Sequence, residues 1–142
     1  MHGLPRYVGL DVGDRRIGVA ISDPLGLIAT PLFTLVRKTP NQDVNSIAEL
    51  CNEYTLGGFI VGLPITLDGV LGIQAQKVQT FAKLLGDASL VPIKFLDERY
   101  TTAEAERIIR EVGGKPSMDK ARVDAVAATV ILQEYLDNLG EM

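Results

Sequence analysis

The stretch "VGLDVGDRRIGVAISD", Val8 to Asp23, decides the fold. Two runs rich in branched apolar residues, "RYVGLDVG" and "RIGVAISD", are joined by the charged turn "DR", and a third, "GLIATPLFTLV", follows after "PL". Apolar runs of strand length punctuated by turn residues predict three sequential antiparallel strands. The first arm nevertheless carries a carboxylate, Asp11, between Leu10 and Val12. An acid in a core-bound strand is costly unless it is paired, protonated or bound to a cation, so Asp11 needs a reason that its neighbours do not.

Beyond this hairpin the pattern alternates. A helical segment around Asp43 to Glu53, with Asp43 as its expected N-cap, precedes "GGFIVGLP", a buried strand closed by Pro64. "QAQKVQTFAKLL" repeats apolar residues at helical spacing, with Val78, Phe81, Ala82 and Leu85 on one face, and "VPIKFLDE" follows as a fifth strand. Two helices close the chain, "TTAEAERIIREV", stopped by Gly113 and Gly114, and a longer one within "MDKARVDAVAATVILQEYL". The order βββαβαβαα predicts an α/β chain built on a mixed five-stranded sheet with helices on both faces, because strands separated by helices imply parallel crossovers. Length and the absence of a repeat or linker lead us to expect one domain over residues 1–142.

Composition narrows the function classes without choosing one. The single cysteine, Cys51, cannot form an internal disulfide, which fits a reducing cytoplasm. No run approaches the ~18 apolar residues that span a bilayer, so a soluble protein with no membrane partner is expected. The net charge of −4 argues against broad, charge-driven nucleic-acid binding while allowing a local basic rim around an acidic site. With His2 the only histidine, and near the terminus, a histidine-based metal site or a Ser-His-Asp triad is not expected. Cys51 lacks a histidine partner and reads as a small packing residue.

The remaining chemistry lies in carboxylates. Asp11 ends the first strand, and Asp97 and Glu98 end the fifth in "FLDERYTT". In sheets of this order the first strand is commonly central, and the C-terminal ends of parallel strands open onto the site. Asp124, in "RVDAVAATVILQ", shares a helical face with Ala127, Ala128 and Ile131, and small alanines there let the helix approach the sheet. Singly, each acid has a plain structural explanation: Asp11 accepting hairpin amides, Asp97 pairing with Arg99 or capping a helix near Thr101, Asp124 lying half-exposed. Their convergence from distant parts of the chain instead suits a hard, oxygen-seeking cation, Mg²⁺ or Mn²⁺, and a two-metal nuclease. Gly9 and Gly13 are expected to leave room for cation and phosphate. Arg15, Arg16, Arg99, Lys115, Lys120 and Arg122 are candidates for holding backbone phosphates, and the loop "LPITLDG" for bordering the groove.

Four segments, "GLDVGDRRIGVAISDPLGLIATPL", "VGLPITLDG", "DERYTTAEAE" and "VDAVAATVILQEYL", together resemble the YqgF/RuvX family of Holliday junction resolvase-like proteins, also described as pre-16S ribosomal RNA nucleases. The resemblance covers nearly the whole chain. It implies an RNase H-like fold, a cytoplasmic location, and a role in ribosomal RNA maturation or in resolving branched DNA. By the same resemblance Asp11 matches the first-strand acid, Glu98 the second and Asp124 the acid of the C-terminal helix. The fourth strand, "FIVGLP", departs from the wider RNase H-like group in offering no carboxylate, so the choice between Asp97 and Glu98 stays open.

"DVG" followed by "IGVA" also resembles the first phosphate loop of actin-like ATPases, which makes an ATP-binding module the competing reading. Only one copy of the strand pattern exists here, whereas such enzymes clasp nucleotide between two related domains. A third reading is a catalytically weak RNA-binding factor for ribosome assembly. The expected partner in the first and third is nucleic acid, structured RNA such as pre-16S rRNA or branched DNA. The oligomeric state, monomer or homodimer, is not encoded legibly.

Overall fold

The computed structural model describes residues 4–66, 69–98 and 120–139, with side chains of the last segment described from residue 125 onward. In chain order the elements are β1 (Arg6–Val12), β2 (Arg16–Ser22), β3 (Ala29–Val36), α1 (Pro40–Ala48), α2 (Leu50–Glu53), β4 (Leu56–Leu63), α3 (Ile73–Ser89), β5 (Ile93–Asp97) and α4 (Lys120–Leu139). The helix expected in "TTAEAERIIREV" lies outside the described residues. The strands form one mixed sheet in the order β3-β2-β1-β4-β5. The β1–β2 and β2–β3 pairs are antiparallel, and β1–β4 and β4–β5 are parallel. The order places β1 at the centre, in keeping with its burial on both faces.

Alternation along the strands sorts the core into two layers. Val8, Leu10 and Val12 of β1, Ile17, Val19 and Ile21 of β2, and Phe59, Val61 and Leu63 of β4 point to one face. There they meet Val44 and Ile47 of α1 and the expected stripe of α3, Val78, Phe81, Ala82 and Leu85. Ala20, Ala29 and Ile60 point to the other face, where they pack against Ala128, Ile131, Leu132 and Leu136 of α4. Pro31 sits in the edge strand β3 beside a register shift between Val19 and Ala20, where a missing N–H costs least.

The direction of α4 follows from its contacts. Tyr135 near its end packs on Tyr7 at the start of β1, ring centroids 5.4 Å apart. Gln133 accepts the Ala29 N–H at 2.9 Å and donates to the Leu27 carbonyl at 2.9 Å. Two residues further along β1, a Cβ on Gly9 would lie 2.7 Å from both the Ala128 carbonyl oxygen and Leu132 Cβ. Moving up β1 therefore means moving back down α4, and the two run antiparallel. One helical turn rises about 5.4 Å and two strand residues about 6.7 Å, so position 124 of the helix backbone falls over the Asp11 end of β1.

The start of α1 differs from expectation. Its N-cap is Thr39, not Asp43: the Thr39 hydroxyl accepts the Gln42 N–H at 3.2 Å, Gln42 returns a bond to the Thr39 N–H at 3.4 Å, and Pro40 fills the first helical position. Asp43, four residues past the cap, turns inward. Its buried carboxylate accepts the Lys38 N–H at 2.9 Å and the Arg37 Nε–H at 3.1 Å.

Candidate active site

The strand faces decide which carboxylates share a side of the sheet. On β1, Tyr7, Gly9 and Asp11 face α4, opposite the Val8, Leu10 and Val12 set. Between β4 and β5, Leu63 pairs with Asp97 and Gly62 with Leu96. Asp97 thus takes the Ile93 side, with Leu63, toward α3, while Leu96 packs against the α4 cluster. Glu98 continues the ladder through its N–H to the Leu63 carbonyl at 3.1 Å and, by alternation, returns to the α4 side. Asp11 and Glu98 share that face and Asp97 does not.

Gly62 lies between them. The parallel register pairs Leu10 with Val61, so the next step sets Asp11 beside Gly62 at the inter-strand spacing of about 4.8 Å. From the other side the Glu98 side chain reaches over Gly62, where a Cβ would lie 2.8 Å from Glu98 Cδ and 3.1 Å from Oε1. Asp11 is 9% exposed and Glu98 2%, so both carboxylates are enclosed within the protein. Burial lowers the local dielectric and raises the worth of any positive charge brought to them. "FIVGLP" contributes no acid here; its glycine contributes the space, a role that the sequence analysis missed. An apolar strand interrupted by glycine one residue before its end is the signal that could have found it.

The other expected positions divide by what is described. Arg15 is exposed and Arg16 half-buried on the β1–β2 turn, at the same end of the sheet as Asp11. Lys120, Arg122 and Asp124 lie on α4, with their side chains outside the described residues, as is all of Arg99 and Lys115. Among the described residues no group of three or more metal-ligating side chains converges. The donor set on the page, two buried carboxylates around a glycine hollow, consists of hard oxygens that fit Mg²⁺ or Mn²⁺ better than a thiophilic metal.

Gly9 serves another purpose than the expected one. The space above it is filled by Ala128 and Leu132, so it admits the helix rather than a cation. Gly13 lets the hairpin close tightly, since a Cβ there would lie 2.9 Å from the Arg16 carbonyl oxygen. Cys51 is half-buried on α2, and burial pushes its thiol up, the opposite of what a nucleophile needs. Among the described residues no helix is long and apolar enough to cross a membrane.

Comparison with known proteins bears on the fold and the family. A protein of Synechococcus sp., named "Putative pre-16S rRNA nuclease", is 45% identical over 140 residues, covering 97% of this chain and 94% of its own. One of the same name from Clostridium novyi is 45% identical over 134 residues, covering 94% and 99%. Among solved structures, Thermus thermophilus RuvC in complex with a Holliday junction substrate superposes with a TM-score of 0.58 at 14% identity, over 96% of both chains. The fowlpox virus Holliday junction resolvase does so with a TM-score of 0.52 at 14% identity, over 94% of this chain and 99% of its own. At such identities the likeness establishes the fold, which is the RNase H-like one. The profile of the RuvX family, described as Holliday junction resolvase, matches residues 5–138, and with relatives at 45% identity over nearly its full length the chain belongs to that family.

Proposed function

We propose that the protein is a metal-dependent nuclease that hydrolyses phosphodiester bonds in structured RNA, in maturation of the 5′ end of pre-16S rRNA, or in branched DNA. The observation that carries this reading is the pair Asp11 and Glu98, buried on one face of the sheet on either side of Gly62. The names of relatives at 45% identity favour the RNA precursor, and the family description favours the junction. Both present the same bond to the same face.

Asp11, Glu98 and Asp124 would hold Mg²⁺ or Mn²⁺, which when bound supplies positive charge to the phosphate oxygens and an activated water. The chain's own part is positional. The central strand fixes Asp11, the Leu63 carbonyl fixes the backbone of Glu98, and the antiparallel run of α4 carries position 124 toward them. What supports Glu98 over Asp97 as the second ligand is strand alternation, which sends Asp97 toward α3. Arg15 and Arg16, with Arg99, Lys120 and Arg122, would hold flanking phosphates. A cytoplasmic location follows from an RNA-precursor substrate.

The test is cleavage of an end-labelled RNA hairpin bearing the pre-16S 5′ extension and of a four-way DNA junction, each with Mg²⁺, with Mn²⁺ and with EDTA. Metal-dependent cutting of either, reduced at least ~100-fold by Asp11→Asn, is expected. Binding of both substrates with no cutting under either metal would overturn the nuclease reading in favour of an RNA-binding assembly factor.

A further inference from the structure

A cationic groove lies at the end of the sheet where β1 turns into β2. A groove of about 530 Å³ opens at the β1–β2 turn, between Arg15, Arg16, Arg37 and Lys38, with Asp14 on its rim. Four cations around one groove are unexpected in a chain of net charge −4. Such a local field concentrates an anionic ligand even where the whole protein repels it.

The cations play two different parts. Arg37 is a strut: its Nε–H donates to Asp43 at 3.1 Å, its Nη1 to the Gly13 carbonyl at 2.9 Å, and its guanidinium stacks 5.0 Å from the Phe81 ring centroid. Its backbone N–H donates to the Arg15 carbonyl at 2.9 Å. It ties the hairpin turn to α1 and α3, and its charge is met by Asp43. Arg15, Arg16 and Lys38 make no ion pair among the described residues. Asp14, the one acid of the groove, has Lys77 Nζ 3.6 Å away. A base braced by Arg37 with unspent charge around it is what a repeated anion needs.

Position says which anion. Asp11 pairs with Gly18, and Arg16 lies two residues from Gly18 on the same face, about 7–8 Å diagonally from Asp11. Neighbouring phosphates of one strand are spaced on that scale, so a strand whose scissile phosphate sits at Asp11 carries its next phosphate toward Arg16. We propose that the groove of Arg15, Arg16 and Lys38 is a phosphodiester-binding site that grips the substrate backbone next to the bond held at Asp11 and Glu98, with Arg16 the member nearest Asp11. It rests on the nuclease reading for the identity of the bond cut, and it adds an anchor that works without metal.

The experiment is fluorescence anisotropy in EDTA over a salt series, with a 5′-fluorescein RNA hairpin carrying a single-stranded tail and with a labelled four-way DNA junction. The variants are the exposed pair Arg15→Ala with Lys38→Ala, the conservative Arg15→Lys with Lys38→Arg, and Lys83→Ala on the exposed side of α3 as control. The alanine pair should bind roughly tenfold more weakly, with a log K against log salt slope smaller by about 1.4 for single-stranded or 1.8 for duplex contacts. The conservative pair should bind as the parent does, and so should the control. Unchanged affinity and slope in the alanine pair, or an equal loss in Lys83→Ala, would overturn the proposal. The two readings fail separately: a parent that never cuts but loses RNA through the alanine pair keeps the groove and removes the nuclease, whereas a parent that cuts while the alanine pair binds normally does the reverse.

Discussion

The carboxylate of Glu98 occupies the space that a side chain at position 62 would take. A Cβ on Gly62 would lie 2.8 Å from Glu98 Cδ and 2.6 Å from Ile131 Cδ1, both the far ends of side chains that can swing away. At Gly9 the obstruction is the Ala128 carbonyl oxygen at 2.7 Å, which belongs to a helix and cannot. Two glycines on the same face of neighbouring strands thus have different duties, one toward the acid and one toward the helix.

Gly62→Ala and Gly9→Ala should therefore differ in kind. For Gly62→Ala a modest overpacking cost is offset by the lower entropy of the unfolded chain, and stability should stay within about 1 kcal/mol of the parent. Because the Glu98 carboxylate must give way along with Ile131, cleavage should fall at least tenfold and the melting shift on adding Mg²⁺ should shrink. Gly9→Ala should lose about 2–3 kcal/mol, since α4 itself must move off the sheet. Urea melts of both proteins, with and without Mg²⁺, separate the two, and a Gly62→Ala protein with normal metal response would show that the added methyl displaces no metal-holding Glu98.

The two neighbouring acids at the end of β5 make a sharper comparison. Glu98→Gln keeps the side-chain volume and removes the charge from the α4 face, so cleavage should drop at least ~100-fold. Asp97→Asn alters the opposite face and should cost less than ~10-fold by the same reasoning. Single-turnover rates at saturating Mg²⁺ decide it. If Asp97→Asn is the more damaging, the assignment of the second ligand is wrong.

Asp11 was legible in the sequence because a lone carboxylate interrupts an otherwise apolar strand, and the helical stripe of α3 was legible because its period is local. Asp97 and Glu98 could not be told apart by such means. Adjacent residues on a strand always face opposite ways, and which one faces α4 depends on the register with β4, a contact across more than thirty residues of chain. The space above Gly62 was hidden for the same reason, since what fills it comes from Glu98 and Ile131. At α1 the difference is local: "TPNQ" holds the Thr39 and Gln42 capping box with Pro40 inside it, and Asp43 follows within the helix.

Asp23 supplies a pH dependence away from the acid pair. Its Oδ1 accepts the Ile28 N–H at 2.8 Å and the Leu27 N–H at 2.7 Å, closing the β2–β3 turn. The Ile28 amide foremost, with Leu27 and other local amides, holds the carboxyl below its usual range against a smaller opposing effect of burial. A depressed folded-state pKa means that the stabilisation is present above the unfolded value, near 3.9, and is lost as pH falls through the folded one. The Leu27 and Ile28 amide resonances should therefore hold steady from neutral pH to about pH 4 and titrate below it. Asp23→Asn should abolish that titration, and a midpoint at or above an ordinary aspartate would contradict the bonding.

Asp11→Asn tests the metal site through stability rather than turnover. Gathering carboxylates in an enclosed site sets like charges against one another, a cost that a bound cation removes. A cation that binds only the folded state at ten times its dissociation constant adds about 1.4 kcal/mol, enough to raise the melting temperature by a few degrees in a chain of this size. Removing one negative charge from the site should leave the metal-free protein at least as stable as the parent, and it should reduce what Mg²⁺ adds. Thermal melts of parent and variant, first in EDTA and then across a Mg²⁺ titration at constant ionic strength, measure both effects in one series. Equal metal-induced shifts in the two proteins would show that Asp11 does not hold the ion. A large loss of stability in EDTA would assign Asp11 instead to accepting hydrogen bonds that keep the central strand in place.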